Sequence, residues 1–140
     1  MTPQGLADLH AAAFVDTRAW SAREIRDLLT SPLVFAVTRP QGFALGRCVA
    51  DECELLTLAV HPDARRGGIG RDLLDAFEAE SQARGATRAF LEVAQDNLSA
   101  ISLYDSRGYQ TGGQRPDYYT RSDGTHVAAR LMFKPLTQGQ

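Results

Sequence analysis

An apolar strand that runs into a glycine-rich turn and then directly into a helix constrains this chain more than any other feature. Leu55-Leu56-Thr57-Leu58-Ala59-Val60 has strand character, and His61-Pro62-Asp63-Ala64 makes the connection. Arg65-Arg66-Gly67-Gly68-Ile69-Gly70 then opens a helix that continues through Arg71-Asp72-Leu73-Leu74-Asp75-Ala76-Phe77. The first turn of a helix carries backbone N–H groups without partners in the helix, and they point one way. The helix dipole adds partial positive charge there, which suits a phosphate or pyrophosphate. Glycines let such a ligand approach the main chain, and two arginines can hold its outer phosphates. An ordinary loop with a glycine-rich helix start accounts for the same residues, so the loop alone leaves both readings open.

The common nucleotide motifs fit poorly. No Lys-Ser/Thr pair follows Gly70, which excludes the P-loop pattern. The dinucleotide fingerprint needs a third glycine where Leu73 stands, and Gly67 breaks its register. Arg65, Gly68 and Gly70 do spell Arg-x-x-Gly-x-Gly after the strand and its His-Pro. This resembles the pyrophosphate-binding motif of the GNAT superfamily of acetyl-CoA-dependent N-acetyltransferases. The likeness continues through Phe90-Leu91-Glu92-Val93-Ala94, Asp96-Asn97, Ala100-Ile101-Ser102-Leu103-Tyr104 and Arg107-Gly108-Tyr109. Within that superfamily the chain is most similar to the bacterial ribosomal-protein-alanine N-acetyltransferases. Cys53 to Leu136 follow their pattern, including Asp117-Tyr118-Tyr119 and the Asp123-Gly124 turn, while the first fifty residues follow it loosely.

Local signals predict mixed α and β structure. Leu6, Leu9, His10, Ala13 and Phe14 fall at helical spacing after Pro3, and Ser21-Ala22-Arg23-Glu24 is a capping box opening a second helix that buries Ile25, Leu28 and Leu29. Pro32 ends that helix. Val34 to Thr38 and Phe43 to Ala50 read as strands joined at Pro40-Gln41-Gly42, and Asp51-Glu52 turns back into Cys53 to Val60. A long helix from Ile69 to Arg84 turns Ile69, Leu73, Ala76 and Phe77 inward, and Gly85 closes it as a left-handed cap. Thr87 to Ala94 is a strand, Leu98 to Arg107 a helix closed by Gly108, and two strands follow around Ser122-Asp123-Gly124. No linker divides the chain, so residues 1–140 are expected to form one domain. The expected class is α/β (α+β): a mixed, mostly antiparallel central sheet with helices on both faces. Met1 to Gln4 is too short for the family's first strand and contains Pro3, so the sheet is expected to begin one strand late.

The strand before the glycine turn and the strand holding Glu92 should be parallel neighbours, since one helix crosses between them. The resemblance implies that these strands splay apart and admit the pantetheine arm of acetyl-CoA. Leu58, Ala59 and Val60 would then offer main-chain contacts, and Arg65, Arg66, Gly67, Gly68, Ile69, Gly70 and Arg71 would hold the pyrophosphate, mainly through backbone N–H groups. Asn97 would touch the pantetheine, although capping the next helix is reason enough for an asparagine there. In the apolar stretch Phe90-Leu91-Glu92-Val93-Ala94, Glu92 is the only charge; partial burial raises a carboxyl's pKa toward a useful value, and the resemblance makes it the base for the incoming amine. A half-exposed strand glutamate paired with an arginine is the plain alternative. Tyr104 follows Ile101 by three residues on a helical face, as a core aromatic does; the resemblance makes its phenol the proton donor to the departing thiolate.

The acceptor end carries weaker signals. Tyr118 and Tyr119 can wall a groove for a peptide N-terminus, or simply pack as an aromatic pair. Asp117 stands where the family often has asparagine, and Trp20 beside Ser21 reads as a hydrophobic staple. The implied reaction is direct transfer from acetyl-CoA to the N-terminal alanine of a small-subunit ribosomal protein. A small amine or lysine acceptor, or a catalytically silent acyl-CoA-binding module, are the alternatives. His10, His61 and His126 are scattered, so no metal site or catalytic triad is expected. A net charge of −2 argues against nucleic acid as partner. The start lacks a basic secretion signal, and no apolar run reaches membrane-spanning length. Cys48 and Cys53 lack metal-ligand spacing and read as small apolar strand residues in a reducing compartment, hence a cytoplasmic protein.

Overall fold

Alternation along a single strand shows how the layers are built. On β2 (Gly42–Val49), Ala44 and Cys48 face one hydrophobic cluster while Phe43 and Leu45 face another. A period of two puts these sets on opposite sides of the sheet, so each side needs its own cover. The first cluster is roofed by α3 (Ile69–Ala83) and α4 (Leu98–Ser106), through Leu73, Leu74, Phe77 and Tyr104. The second is roofed by α1 (Pro3–Ala13) and α2 (Ala22–Leu29), through Leu6, Leu9 and Ile25. The computed structural model describes residues 2–14, 20–65, 67–121 and 123–136.

The remaining strands are β1 (Val34–Arg39), β3 (Glu52–Val60), β4 (Arg88–Ala94), β5 (Gln110–Thr120) and β6 (His126–Pro135). They join in one six-stranded sheet of order β1-β2-β3-β4-β6-β5. Only the β3–β4 pair is parallel, joined by the α3 crossover, and the other neighbours are antiparallel. The expected fold class therefore holds, with helices on both faces. Among the described residues no strand precedes α1, whose N-cap Thr2 accepts from the Gly5 N–H and which begins at Pro3. Proline suits that first helical position, because its missing N–H has no partner there in any case.

Local chemistry sets the boundaries. Ser21 and Glu24 exchange bonds as a capping box, and Gly85 and Gly108 take φ of 92° as α3 and α4 end. Asp123 shapes the β5–β6 turn by accepting from both the Thr125 N–H and its hydroxyl, at 3.0 and 2.7 Å; Ser122 lies outside the described residues. A correction concerns the cysteines. The hairpin register sets Cys48 directly opposite Cys53, and the two buried side chains form a disulfide rather than standing as separate apolar thiols. Five positions across a tight turn are what bring them face to face.

The feature that shapes the site is a change of register within β3. Leu45 pairs with Thr57 but Gly46 with Leu55, leaving Leu56 as an extra residue. Such a bulge bends its strand and sharpens the twist. The β3–β4 pairing covers only Glu52 to Leu55 against Arg88 to Leu91 and stops at the bulge.

Candidate active site

Beyond the bulge the parallel strands part. Leu58, Ala59 and Val60 remain paired with β2, while Glu92, Val93 and Ala94 remain paired with β6. Main-chain groups on the facing edges are left toward the gap, where an extended amide-bearing chain can pair with them as another strand would. The gap widens into a cleft of about 1150 Å³ lined by β3, β4, the start of α3, α4, the end of β5 and the α1 terminus.

One end of the cleft is the glycine turn. Gly68 is the N-cap of α3 with φ 82° and makes no side-chain cap bond. The first bond to its carbonyl comes from Asp72 N–H at 3.0 Å, so the amides of Ile69, Gly70 and Arg71 lie ahead of the helical ladder. A Cβ on Gly70 would sit 3.2 Å from Leu103 Cδ2, so this glycine lets α3 lie close on α4. Gly68, Ile69, Gly70 and the exposed Arg71 line the cleft, whereas Gly67 does not. Arg66 lies outside the described residues. Arg65 lines the cleft too. Its guanidinium donates to Ala13 O at 2.9 Å and Val60 O at 3.3 Å, tying the turn to the α1 terminus and to β3. Those carbonyls end a helix and a strand and need a donor, which the arginine supplies. Ala59 turns its side chain into the α1/α2 cluster, so only its main chain is available to the cleft.

Glu92, Asn97, Tyr104, Tyr118 and Tyr119 also line this cleft. The Glu92 side chain is 17% exposed, and its Oε1 lies 3.0 Å from Arg115 Nη2. The arginine partner raised as the plain alternative is therefore present, in the same place as the candidate base. Tyr104 is 7% exposed, and burial, with Tyr119 nearby, pushes its phenol well above the ordinary tyrosine range. Tyr119 is pushed up to about 12, by burial first and then by the Glu92 and Tyr118 charges, with Arg121 opposing. Asn97 caps α4, its Oδ1 accepting from the Ala100 N–H at 3.3 Å. Capping uses the oxygen and leaves the Nδ2 group as a donor on a residue that lines the cleft.

A second irregularity places the tyrosines. Between Arg115, opposite Ala129, and Tyr119, opposite Val127, β5 carries more residues than β6, and the excess bulges at Pro116-Asp117-Tyr118. Asp117 takes φ 54° there, a region that aspartate and asparagine tolerate best among non-glycine residues. That shared tolerance explains either residue at this position. Tyr118 and Tyr119 meet edge to face at 5.0 Å.

Sequence reasoning missed Arg115, Arg121 and His10. Arg121 forms an ion pair with Asp96, joining the β5–β6 hairpin to the α4 entrance. His10 is buried, stacks on Trp20 at 5.1 Å and accepts from the Trp20 N–H at 3.3 Å. Trp20 and Ile25 belong to one cluster, as a staple requires, but the tryptophan also walls the cleft. Only its place in Arg115-Pro116-Asp117-Tyr118-Tyr119 could have drawn attention to Arg115, and nothing local points to its partner. Among the described residues no group of His, Cys, Asp or Glu side chains could hold a metal ion. No helix there is long and apolar enough to cross a membrane.

A gap between parted parallel strands, with a helix N-terminus at one end and a carboxylate and a phenol along it, is the architecture of an acetyl-group transferase. Residues 7–109 match the acetyltransferase (GNAT) family, and the chain belongs to that family. The [Ribosomal protein bS18]-alanine N-acetyltransferase of Escherichia coli (strain K12) is 36% identical over 138 residues, which is 93% of each chain. The protein of the same name from Salmonella typhimurium is 38% identical over 99 residues, or 71% of this chain and 66% of that one. The crystal structure of the ribosomal-protein-S18-alanine N-acetyltransferase from Escherichia coli matches with a TM-score of 0.86 at 28% identity, covering 99% of this chain and 90% of that one.

Proposed function

We propose that this protein transfers the acetyl group of acetyl-CoA to the α-amine of a protein N-terminus, with the N-terminal alanine of a small-subunit ribosomal protein as acceptor. The observation that carries the proposal is a single cleft joining the α3 amide cradle, the parted edges of β3 and β4, and Glu92 with Tyr104. The names of the relatives at 36% and 38% identity favour this acceptor. The ribosomal acceptor puts the reaction in the cytoplasm.

The diphosphate of CoA lies against the amides of Gly68 to Arg71, where the helix dipole and the Arg71 side chain offset its charge. Pantetheine runs between the strands, pairing with main-chain groups of Leu58 to Val60, and Asn97 donates to one of its amides. The thioester carbonyl then lies between Glu92 on β4 and Tyr104 on α4. An α-amine has a free pKa of ~8, so most of it arrives protonated at neutral pH. Glu92 removes that proton, the amine nitrogen attacks the carbonyl carbon, and the C–S bond breaks with its electron pair leaving on sulfur. Tyr104, held protonated by its burial, delivers its phenolic proton to the thiolate, and the second proton lost from the former ammonium nitrogen passes to the phenolate as the amide forms. Tyr118 and Tyr119 wall the channel through which the peptide enters.

The test is a peptide panel incubated with labelled acetyl-CoA, with the acetylated nitrogen located by mass spectrometry. Alanine-headed ribosomal N-termini should be modified on the α-nitrogen. Modification confined to lysine side chains or small amines would overturn the acceptor. CoA binding without transfer to any acceptor would overturn the enzymatic reading.

A further inference from the structure

Arg115 is a cation standing where the proposed reaction must seat another cation. Its Nη2 lies 3.0 Å from Glu92 Oε1, and its side chain is 56% exposed against 17% for the glutamate. The same guanidinium lies over the Tyr118 ring, 5.4 Å from its centroid. An aromatic face holds a guanidinium well, so Tyr118 already shares it with Glu92 and can keep it on the cleft wall when the carboxylate is taken. Three other charged groups on and beside these elements have partners of their own. Arg121 on the hairpin pairs with Asp96, Glu54 on β3 with Arg47, and Arg130 on β6 donates to Gln95. Tyr119 feels the Glu92 charge and meets Tyr118 edge to face, and Tyr104 adjoins Tyr119.

A protonated α-amine that reaches Glu92 competes for the carboxylate Arg115 already holds. Arginine does not give up a proton, so it cannot be consumed in the reaction and can only move aside. A mostly buried carboxylate needs a cation nearby, whereas a half-exposed guanidinium returns to solvent at small cost. We propose that Arg115 is the resident counter-ion of Glu92, displaced from the carboxylate by the acceptor's α-ammonium while the Tyr118 ring retains it, and that this exchange sets acceptor affinity. The inference rests on the reading of Glu92 as the base. No covalent bond changes in the step; one cation replaces another beside the carboxylate. The slot therefore favours acceptors that arrive charged, and an amine already acetylated cannot displace the guanidinium.

The variants Arg115→Gln and Arg115→Lys test this in initial-rate assays with an alanine-headed hexapeptide at saturating acetyl-CoA. Arg115→Gln should lower the acceptor KM about twofold to fivefold, the range of a half-exposed ion pair. Arg115→Lys keeps the charge and should restore a KM near that of the unmodified protein. The N-acetylated hexapeptide, which lacks the charge, should inhibit all three proteins equally. Guanidinium ion should compete with the peptide more strongly in Arg115→Gln, where its place is open. A raised or unchanged KM in Arg115→Gln overturns the displacement, as does a loss carried wholly in kcat, which would make Arg115 a support for the chemical step. Failure of the unmodified protein to acetylate any α-amine would remove the base from Glu92 and this inference with it. Activity on the peptide with no fall in KM removes the inference alone.

Discussion

Replacing Glu92 by glutamine changes one atom type and should change the pH dependence of the reaction more than its stability. The side chain is mostly buried, its partner Arg115 is half exposed, and the two are 3.0 Å apart. Removing an ion pair of that kind costs about 0.2–1 kcal/mol, because the arginine left behind is already solvated. At roughly 2–4 °C per kcal/mol for a chain approaching this size, the melting temperature should fall by no more than about 4 °C. Catalysis should suffer far more, since a positioned general base contributes ~10²–10⁴-fold. The loss should also shrink at high pH. An α-amine with a pKa near ~8 is about one tenth neutral at pH 7 and about nine tenths neutral at pH 9, so free base replaces part of what the variant lacks. The assay is release of CoA thiol with an alanine-headed peptide from pH 6 to 9.5, with acetyl-CoA binding followed separately. We expect Glu92→Gln to bind acetyl-CoA as the unmodified protein does, to turn over at least a hundredfold more slowly at pH 7, and to regain roughly tenfold by pH 9. Parallel pH profiles at similar rates for the two proteins would remove Glu92 from its role.

Three further expectations follow from individual residues. Tyr104→Phe should slow turnover about tenfold to a hundredfold while leaving acetyl-CoA affinity intact, as measured by steady-state kinetics and calorimetry. Because burial raises the phenol of Tyr104, its stabilising contribution is complete below the unfolded value of ~10 and is lost as pH rises toward the folded value, at about 1.4 kcal/mol per pH unit. Denaturant midpoints between pH 9 and 11 should therefore fall less steeply in Tyr104→Phe. Gly70→Glu crowds Leu103, whose Cδ2 would lie 3.2 Å from the new Cβ, and sets a carboxylate beside the phosphate cradle. Thermal shift should show CoA affinity reduced roughly a hundredfold or more by like-charge repulsion. Asn97→Asp preserves an oxygen for the Ala100 N–H but removes the amide donor, so stability should hold within about 0.5 kcal/mol while CoA affinity falls. Equal affinity in that variant would leave Asn97 as a cap alone.

Features set by neighbouring residues were legible in the sequence. The Ser21/Glu24 box, the glycine stops at Gly85 and Gly108, the tight turns and the β3–α3–β4 crossover all arise from contacts within a few positions or from chain handedness. The cradle was legible for the same reason, because a glycine at a helix start advertises its own geometry. What stayed hidden depends on pairing across the sheet. The bond from the Arg65 guanidinium to the Ala13 carbonyl, 52 positions away, has no local signal. Arg115 meets Glu92 only by reaching across β6, which lies between β4 and β5. Two cysteines five apart declare a pair only once the hairpin register is fixed. The bulge at Leu56, which opens the cleft, has no glycine on its own strand, and Gly46 lies opposite on β2. Family resemblance supplied the roles of Glu92 and Tyr104, which spacing alone left balanced against ordinary packing.

The most direct measurement is to incubate the purified protein with isotope-labelled acetyl-CoA and a ribosomal N-terminal peptide beginning with alanine, then sequence the product by tandem mass spectrometry. Label on the alanine α-nitrogen, abolished by Gly70→Glu and strongly reduced by Glu92→Gln, is the predicted result. Label found only on lysine side chains, or undiminished in both variants, would contradict the account.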